Sequence, residues 1–234
     1  MTETTQTKKG NNRIVVIILV VVVLILLGAV AFLMLGGTAM QLLGGGGTLP
    51  EDEFIVRMDQ FPLRPNDMDD PYSISAGGDL RMDNTQLSKF MGSGYVKPFV
   101  NHTGRVDGWD VSLDRVNANA FGPETVRSQV SYFEEADGAS EALSSDWFWA
   151  YQLEDRAPEE FLDENCSLGS DCVTFMYKEV KPGGGSIVER YDVAFRYKNV
   201  VIWVFVKGVQ GEVSEDIVMD YGQMVLDKVK LLDN

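Results

Sequence analysis

The segment Ile187–Val209, IVERYDVAFRYKNVVIWVFVKGV, decides the fold. Val200–Val206 (VVIWVFV) has no polar side chain. A strand there is apolar on both faces, so it is expected to be the buried central strand of a sheet. Lys198-Asn199 separates two strand-like runs, Ile187–Tyr197 and Val200–Val209, and reads as a tight hairpin turn. Upstream, Val173–Lys181 is a third run, divided from the pair by the loop Pro182-Gly183-Gly184-Gly185. Downstream, Ser214 is placed to cap a final helix, with Glu215 and Asp216 in its first turn and Lys228 and Lys230 near its end. Val218, Tyr221, Val225, Val229 and Leu232 form an apolar stripe that should pack on the sheet.

Further towards the N-terminus the pattern is mixed. Arg105–Val116 alternates, with Trp109, Val111 and Leu113 on one face, and Thr125–Phe133 alternates with Val126, Val130 and Tyr132. A period of two with a polar second face predicts an antiparallel sheet covered on one side. Gly94–Asn101 and Glu53–Phe61 also read as strands, and Asp83-Asn84-Thr85 opens a short helix, Thr85–Met91. Between them Pro62, Pro65 and Pro71 interrupt regular structure, and Asp67, Asp69 and Asp70 cluster. That cluster lacks the Gly and the closing Glu of a calcium loop, so it reads as solvated and no metal site is expected.

From Asp137 the period changes. Ala139, Ala142, Leu143, Trp147, Ala150 and Tyr151 recur at helical spacing to about Leu153. Trp147, Trp149 and Tyr151 belong to the densest aromatic cluster of the chain. Two readings stand: a platform on which a sugar or other flat ligand stacks, or an aromatic face packed on the sheet. The second is favoured because large aromatics dominate cores. The acidic loop Ala157–Asp171 leads into the two cysteines, Cys166 and Cys172. Outside the cytoplasm a pair at this spacing is expected to be oxidised to a disulfide, pinning a small loop by about 2 kcal/mol.

At the other end, Ile14–Leu35 is 22 residues without a charged or polar side chain. As a helix it spans a hydrocarbon core of roughly 30 Å. Lys8, Lys9 and Arg13 precede it, and Glu51, Asp52 and Glu53 come before the next basic residue, Arg57. The positive-inside rule then predicts a single-pass signal anchor at the cell membrane, with the N-terminus cytoplasmic. The expected organisation is a cytoplasmic tail 1–13, a transmembrane helix 14–35, a Gly-rich linker 36–50 and an extracytoplasmic domain 51–234. Cleavage as a signal peptide is the competing reading, although such apolar regions usually run about 7–15 residues. A pilin-type surface subunit also begins with a basic stretch and a long apolar helix. Here, however, no Glu lies early in the apolar run, and Gly36-Gly37 and Gly44–Gly47 interrupt any continuous rod.

Of 20 basic and 35 acidic residues in 234, residues 1–35 hold three and one, which leaves a net −17 on residues 36–234. Such a domain repels nucleic acid and anionic headgroups. The chain has no GxSxG, no HExxH and no P-loop, and its single histidine, His102, is read as lying at a strand end or in a loop. No catalytic residue, metal ligand or cofactor is therefore assigned.

Gly104–Trp109 entering a strand, Val130–Ala142 (VSYFEEADGASEA) passing from strand to helix, and Arg196–Val201 turning into the apolar strand carry a resemblance. Over roughly residues 60–232 the chain resembles membrane-anchored or lipoprotein-like bacterial extracytoplasmic domains with a PsbP-like α/β sandwich. The resemblance implies an α+β fold, an antiparallel sheet packed by helices, and an extracytoplasmic setting. It transfers no site residue. The leading functional expectation is a membrane-anchored binding or accessory protein, a subunit working with other membrane or envelope proteins. The alternatives are a glycan-directed cell-envelope hydrolase using a carboxylate pair near Trp147 and Trp149, a pilin-like subunit, and a sensor that signals through a partner.

Overall fold

The computed structural model describes residues 47–145, 160–163, 166–180 and 185–233. The apolar run 14–35, the tail 1–13, most of the linker, the Gly-rich loop 181–184 and the aromatic stretch 146–159 lie outside the described residues. The folded unit begins at Gly47, inside the segment expected to be linker. Among the described residues no helix is long and apolar enough to cross a membrane.

Its elements in order are α1 (Glu51–Arg57), β1 (Tyr72–Arg81), α2 (Asn84–Met91), α3 (Ser93–Thr103), β2 (Arg105–Arg115), β3 (Thr125–Phe133), α4 (Ala136–Ser144), β4 (Glu160–Asp163), β5 (Ser170–Val180), β6 (Ile187–Tyr197), β7 (Val200–Val209) and α5 (Glu215–Lys230). The strands form one sheet in the order β1-β2-β3-β7-β6-β5-β4, with every pair antiparallel. β7 lies between β3 and β6 and is buried from Val200 to Val206, as its uninterrupted apolar run requires. Lys198 makes the β6–β7 turn with a left-handed backbone, φ 54°.

The sheet is covered on both faces, against the expectation of one. On the first face α5 (Val218, Val225, Leu226, Val229) and the N-terminal segment (Leu49, Phe54, Met58, Phe61, Leu63) pack on Val111, Leu113, Val130, Ile202 and Val204. On the second, α2, α3 and α4 supply Leu87, Val96, Phe99, Ala139, Ala142 and Leu143 against Phe133, Ala194, Val201, Trp203 and Phe205. The second layer is hard to read because β2 and β3 place Asp110, Gln129 and Ser131 on that buried face. Such groups tolerate burial only with hydrogen-bond partners from other elements.

Two expected strands are helices. In α1, Phe54 is buried, and Met58 and Phe61, the first residue and the C-cap of the 3-10 turn just beyond, follow it at a helical spacing of four and three. In α3, Val96, Phe99 and Thr103 are buried one turn apart despite β-favouring side chains and the internal Pro98. The short helix capped by Asp83 is as expected, its carboxylate accepting from the Gln86 amide at 2.7 Å. The edge strand β1 has no counterpart in the sequence reading. Its surface is largely exposed, and Gly77-Gly78 lies in a register break, so no alternation marks it. The stretch read as an acidic loop also contains β4, paired to β5.

Asn199, in the β6–β7 turn, ties the start of the domain to the sheet. Its Oδ1 accepts from the Leu49 amide at 2.7 Å, and its Nδ2 donates to the Phe133 carbonyl at 2.6 Å, with Asn199 fully buried. Asn199→Ala strands a buried donor and a buried acceptor, which costs about 2–4 kcal/mol. Denaturant unfolding should show that loss, and hydrogen exchange at the Leu49 amide should accelerate. Unchanged protection at Leu49 would contradict the assignment.

Candidate functional site

A groove of about 690 Å³ opens on the second face of the sheet, beside the helical layer. Its floor comes from register rows of three strands. Ser112 pairs across to Arg127, and Arg127 to Phe205, with Asp110 one step along β2. One wall is the β1 bulge. Between Ile74 opposite Leu113 and Asp79 opposite Val111, residues Ser75–Gly78 have no partner position on β2. Gly77 permits the excursion with φ 74°, a backbone costly for other residues. The other wall is the α2–α3 junction, where Phe90 and Met91 end one helix and Tyr95 begins the next. Phe90 is 60% and Tyr95 61% exposed, so two aromatic rings are left to solvent at the rim.

The floor is charged but paired. Arg127 Nε donates to Asp110 Oδ1 at 2.9 Å and Oδ2 at 3.0 Å, and its Nη2 donates to Oδ2. The Arg127 guanidinium stands 5.4 Å from the Trp203 ring, and Trp203 Nε1 donates to Asp192 Oδ1 at 3.0 Å. Asp192 is also gripped by Arg190, through Nε at 2.8 Å and Nη2 at 2.6 Å, and that guanidinium stacks 4.0 Å from Phe205. A chain of ion pairs and aromatic rings thus runs beneath the groove.

Complete burial pushes the Asp192 carboxyl up to about 6, against an ordinary 3.8, and the pull of Arg190, Trp203 and Arg127 offsets this only in part. The folded state therefore holds this proton more tightly than the unfolded chain. Stability from this group is present below pH 4 and is lost as pH rises through 6, a swing of about 3 kcal/mol. Melting temperature should rise between pH 7 and pH 5 in the native chain, and this rise should shrink in Asp192→Asn. Equal pH profiles for the two would contradict the assignment. Beyond the bulge, burial alone would raise Asp79, but hydrogen bonds from Arg64 (2.5 Å) and Trp109 Nε1 (2.6 Å) hold its carboxyl below the usual range.

The residues singled out by sequence fall elsewhere. Trp147, Trp149 and Tyr151 lie outside the described residues. Cys166 and Cys172 are joined as a disulfide, Cα to Cα 5.1 Å, and Cys172 and Leu168 enter the core under α5. His102 stands in the last turn of α3, not at a strand end or in a loop, with Nε2 3.4 Å from Glu141. Asp67 accepts from the Arg64 amide at 2.6 Å and from Lys228. Among the described residues no group of three acidic, His or Cys side chains is arranged to hold a metal. The groove residues are scattered over residues 75–205, so no local motif marks them. The polar positions of β2 and β3 are the usable signal, and in the sequence alone they read as a solvated face.

No family model and no curated protein matches the chain. Among solved structures, it is similar to the extracellular domain of PknH from Mycobacterium tuberculosis, at 15% identity and a TM-score of 0.51. The match covers 80% of this chain and 100% of that one. At that identity the likeness establishes a shared fold. The PsbP-like resemblance rests on structural positions without a family match.

Proposed function

We propose that this chain is a membrane-tethered extracytoplasmic binding protein, an accessory subunit whose folded unit takes a ligand in the groove. The observation that carries the reading is the pairing of two solvent-exposed rings, Phe90 and Tyr95, with a polar floor of Asp110, Ser112 and Arg127. The run Ile14–Leu35 supplies the tether, with residues 1–13 in the cytoplasm. The disulfide suits an oxidising compartment, and the similar PknH structure is itself of an extracellular domain. The PsbP-like sandwich is the finer fold assignment of the same reading.

Binding is favoured over hydrolysis in this groove because glycosidic cleavage uses two carboxyls. Among the described lining residues Asp110 is the one carboxylate, and Arg127 engages both of its oxygens. The full chain, extracted from membranes in a detergent without a sugar headgroup, should carry a small molecule detectable by native mass spectrometry. Phe90→Ala/Tyr95→Ala should lose that mass while keeping its melting temperature, since both rings are exposed. An occupant retained in the double variant, or none in the native chain, counts against the reading. External protease on intact cells should remove the folded unit and spare a tag on residues 1–13.

A further inference from the structure

We infer that the ligand of the groove is a neutral saccharide, an inference that rests on the groove being a binding site. Four observations converge. First, the rim rings. Phe90 and Tyr95 flank Gly92 and are left 60% and 61% exposed, which leaves their apolar faces unused by the fold. The C–H faces of a pyranose or furanose ring pack on such surfaces, and burial of that apolar area drives the contact.

Second, the floor combines a carboxylate and a guanidinium with hydroxyls. Asp110 and Arg127 are planar groups offering acceptors and donors at fixed spacing, and Ser75 and Ser112 add hydroxyls that already meet at 3.2 Å. Vicinal sugar hydroxyls both donate and accept, and this set answers both needs. Third, Ser75–Gly78 lacks a register partner on β2, so the bulge lines the groove with strand backbone rather than with large side chains.

Fourth, the charge balance sets the class. Arg127 is neutralised by Asp110, so the floor has no net positive charge to bind a phosphate, sulfate or uronate. The domain around it is acidic, the residues 36–234 summing to −17, and this field repels anions. Conversely, Arg127 neutralises Asp110, which removes the charge a cationic ligand would seek. A ligand rich in hydroxyls and free of charge is what the groove is built to meet. A purely apolar ligand would take the Asp110–Arg127 ion pair and both serine hydroxyls out of water without adding a hydrogen bond to any of them, which costs free energy.

The test uses the full chain in an amine-oxide detergent, because sugar-headed detergents would compete. The probes are maltohexaose, cellohexaose and a neutral arabinan hexamer, with hexagalacturonate as the anionic counterpart, read by saturation-transfer NMR and titration calorimetry. At least one neutral hexamer is expected to saturate below about 10 mM, with hexagalacturonate at least about tenfold weaker. Phe90→Ala and Tyr95→Ala should each weaken the neutral probe by about three- to tenfold at unchanged melting temperature, and Tyr95→Phe should retain it within about twofold. No saturable binding by any neutral hexamer, equal or tighter binding of hexagalacturonate, or neutral binding indifferent to both alanine variants each overturns the inference. If a non-saccharide occupant is displaced by Phe90→Ala/Tyr95→Ala in native mass spectra, the sugar class falls and the binding site stands. If no occupant depends on the groove, both fall.

Discussion

Trp203→Ala is expected to destabilise the domain by about 3–5 kcal/mol, a large share of the roughly 5–15 kcal/mol that holds a domain folded. Trp203 is 1% exposed at the centre of β7 and anchors the second core. Its ring meets Phe205 edge-on at 5.2 Å and lies 5.4 Å from both Arg127 and Arg190. Truncation opens a cavity among rigid strand neighbours that cannot collapse into it. It also removes the Nε1 donor that helps Asp192 stay ionised. Trp203→Phe separates these effects. It keeps most of the ring volume but loses the Nε1 donor, and should cost about 1–3 kcal/mol. Its destabilisation should grow at higher pH, where Asp192 must carry its charge with one hydrogen bond fewer. Chemical denaturation of both variants at pH 5 and pH 8 measures the two contributions. A loss in Trp203→Phe equal to that in Trp203→Ala would contradict the volume argument.

Gly138→Ala is the second large effect, and its sign runs against helix propensity. Ala in place of Gly inside a helix normally stabilises by up to about 1 kcal/mol. At Gly138 in α4, however, a Cβ would lie 1.9 Å from the Thr103 carbonyl oxygen and 2.9 Å from its carbon. The obstacle is the backbone at the end of α3, not a side chain that can swing aside. The adjoining chain is tied down by the bond from the Glu134 amide to the Gly104 carbonyl, 2.9 Å. α3 and α4 must therefore separate, disturbing Phe99, Ala139 and Ala142 together. We expect at least about 4 kcal/mol of destabilisation, or failure to accumulate folded protein. Gly94→Ala, in the same layer with nothing within 4 Å of its Cβ, is the control and should be neutral or mildly stabilising. Thermal unfolding of the pair decides the matter.

These two positions show where sequence reading succeeds and where it stops. Trp203 sits in a run so densely apolar that its burial follows from composition alone. Gly138 looks like a poor helix residue, because nothing in its local sequence announces the carbonyl of Thr103 against it. Tyr95, Val96, Phe99 and Val100 form a second case. Their β-favouring chemistry reads as a strand, yet packing of Val96 and Phe99 against Ala139 and Ala142 selects a helix, tertiary burial overriding a weak intrinsic preference. The groove is a third. Asp110 and Arg127 are 17 positions apart, and as isolated residues they belong to a solvated face. They become a floor only when β2 and β3 pair and helices from another part of the chain cover the neighbouring row.

By itself, the amino-acid sequence determined the hairpin of β6 and β7, the central place of β7, the final helix with its Ser214 cap and the Cys166–Cys172 bridge. These depend on hydrophobic density, turn chemistry and spacing within a few residues, all of which are local. Tertiary structure alone decided that the sheet is covered on both faces, that 51–57 and 93–103 are helical, and that Ser75, Tyr95, Asp110, Arg127 and Phe205 share one groove. The reason is physical: a buried polar group is tolerated only when a distant element brings its partner. Asn199 shows it most plainly, since it is satisfied by Leu49 across 150 positions of chain.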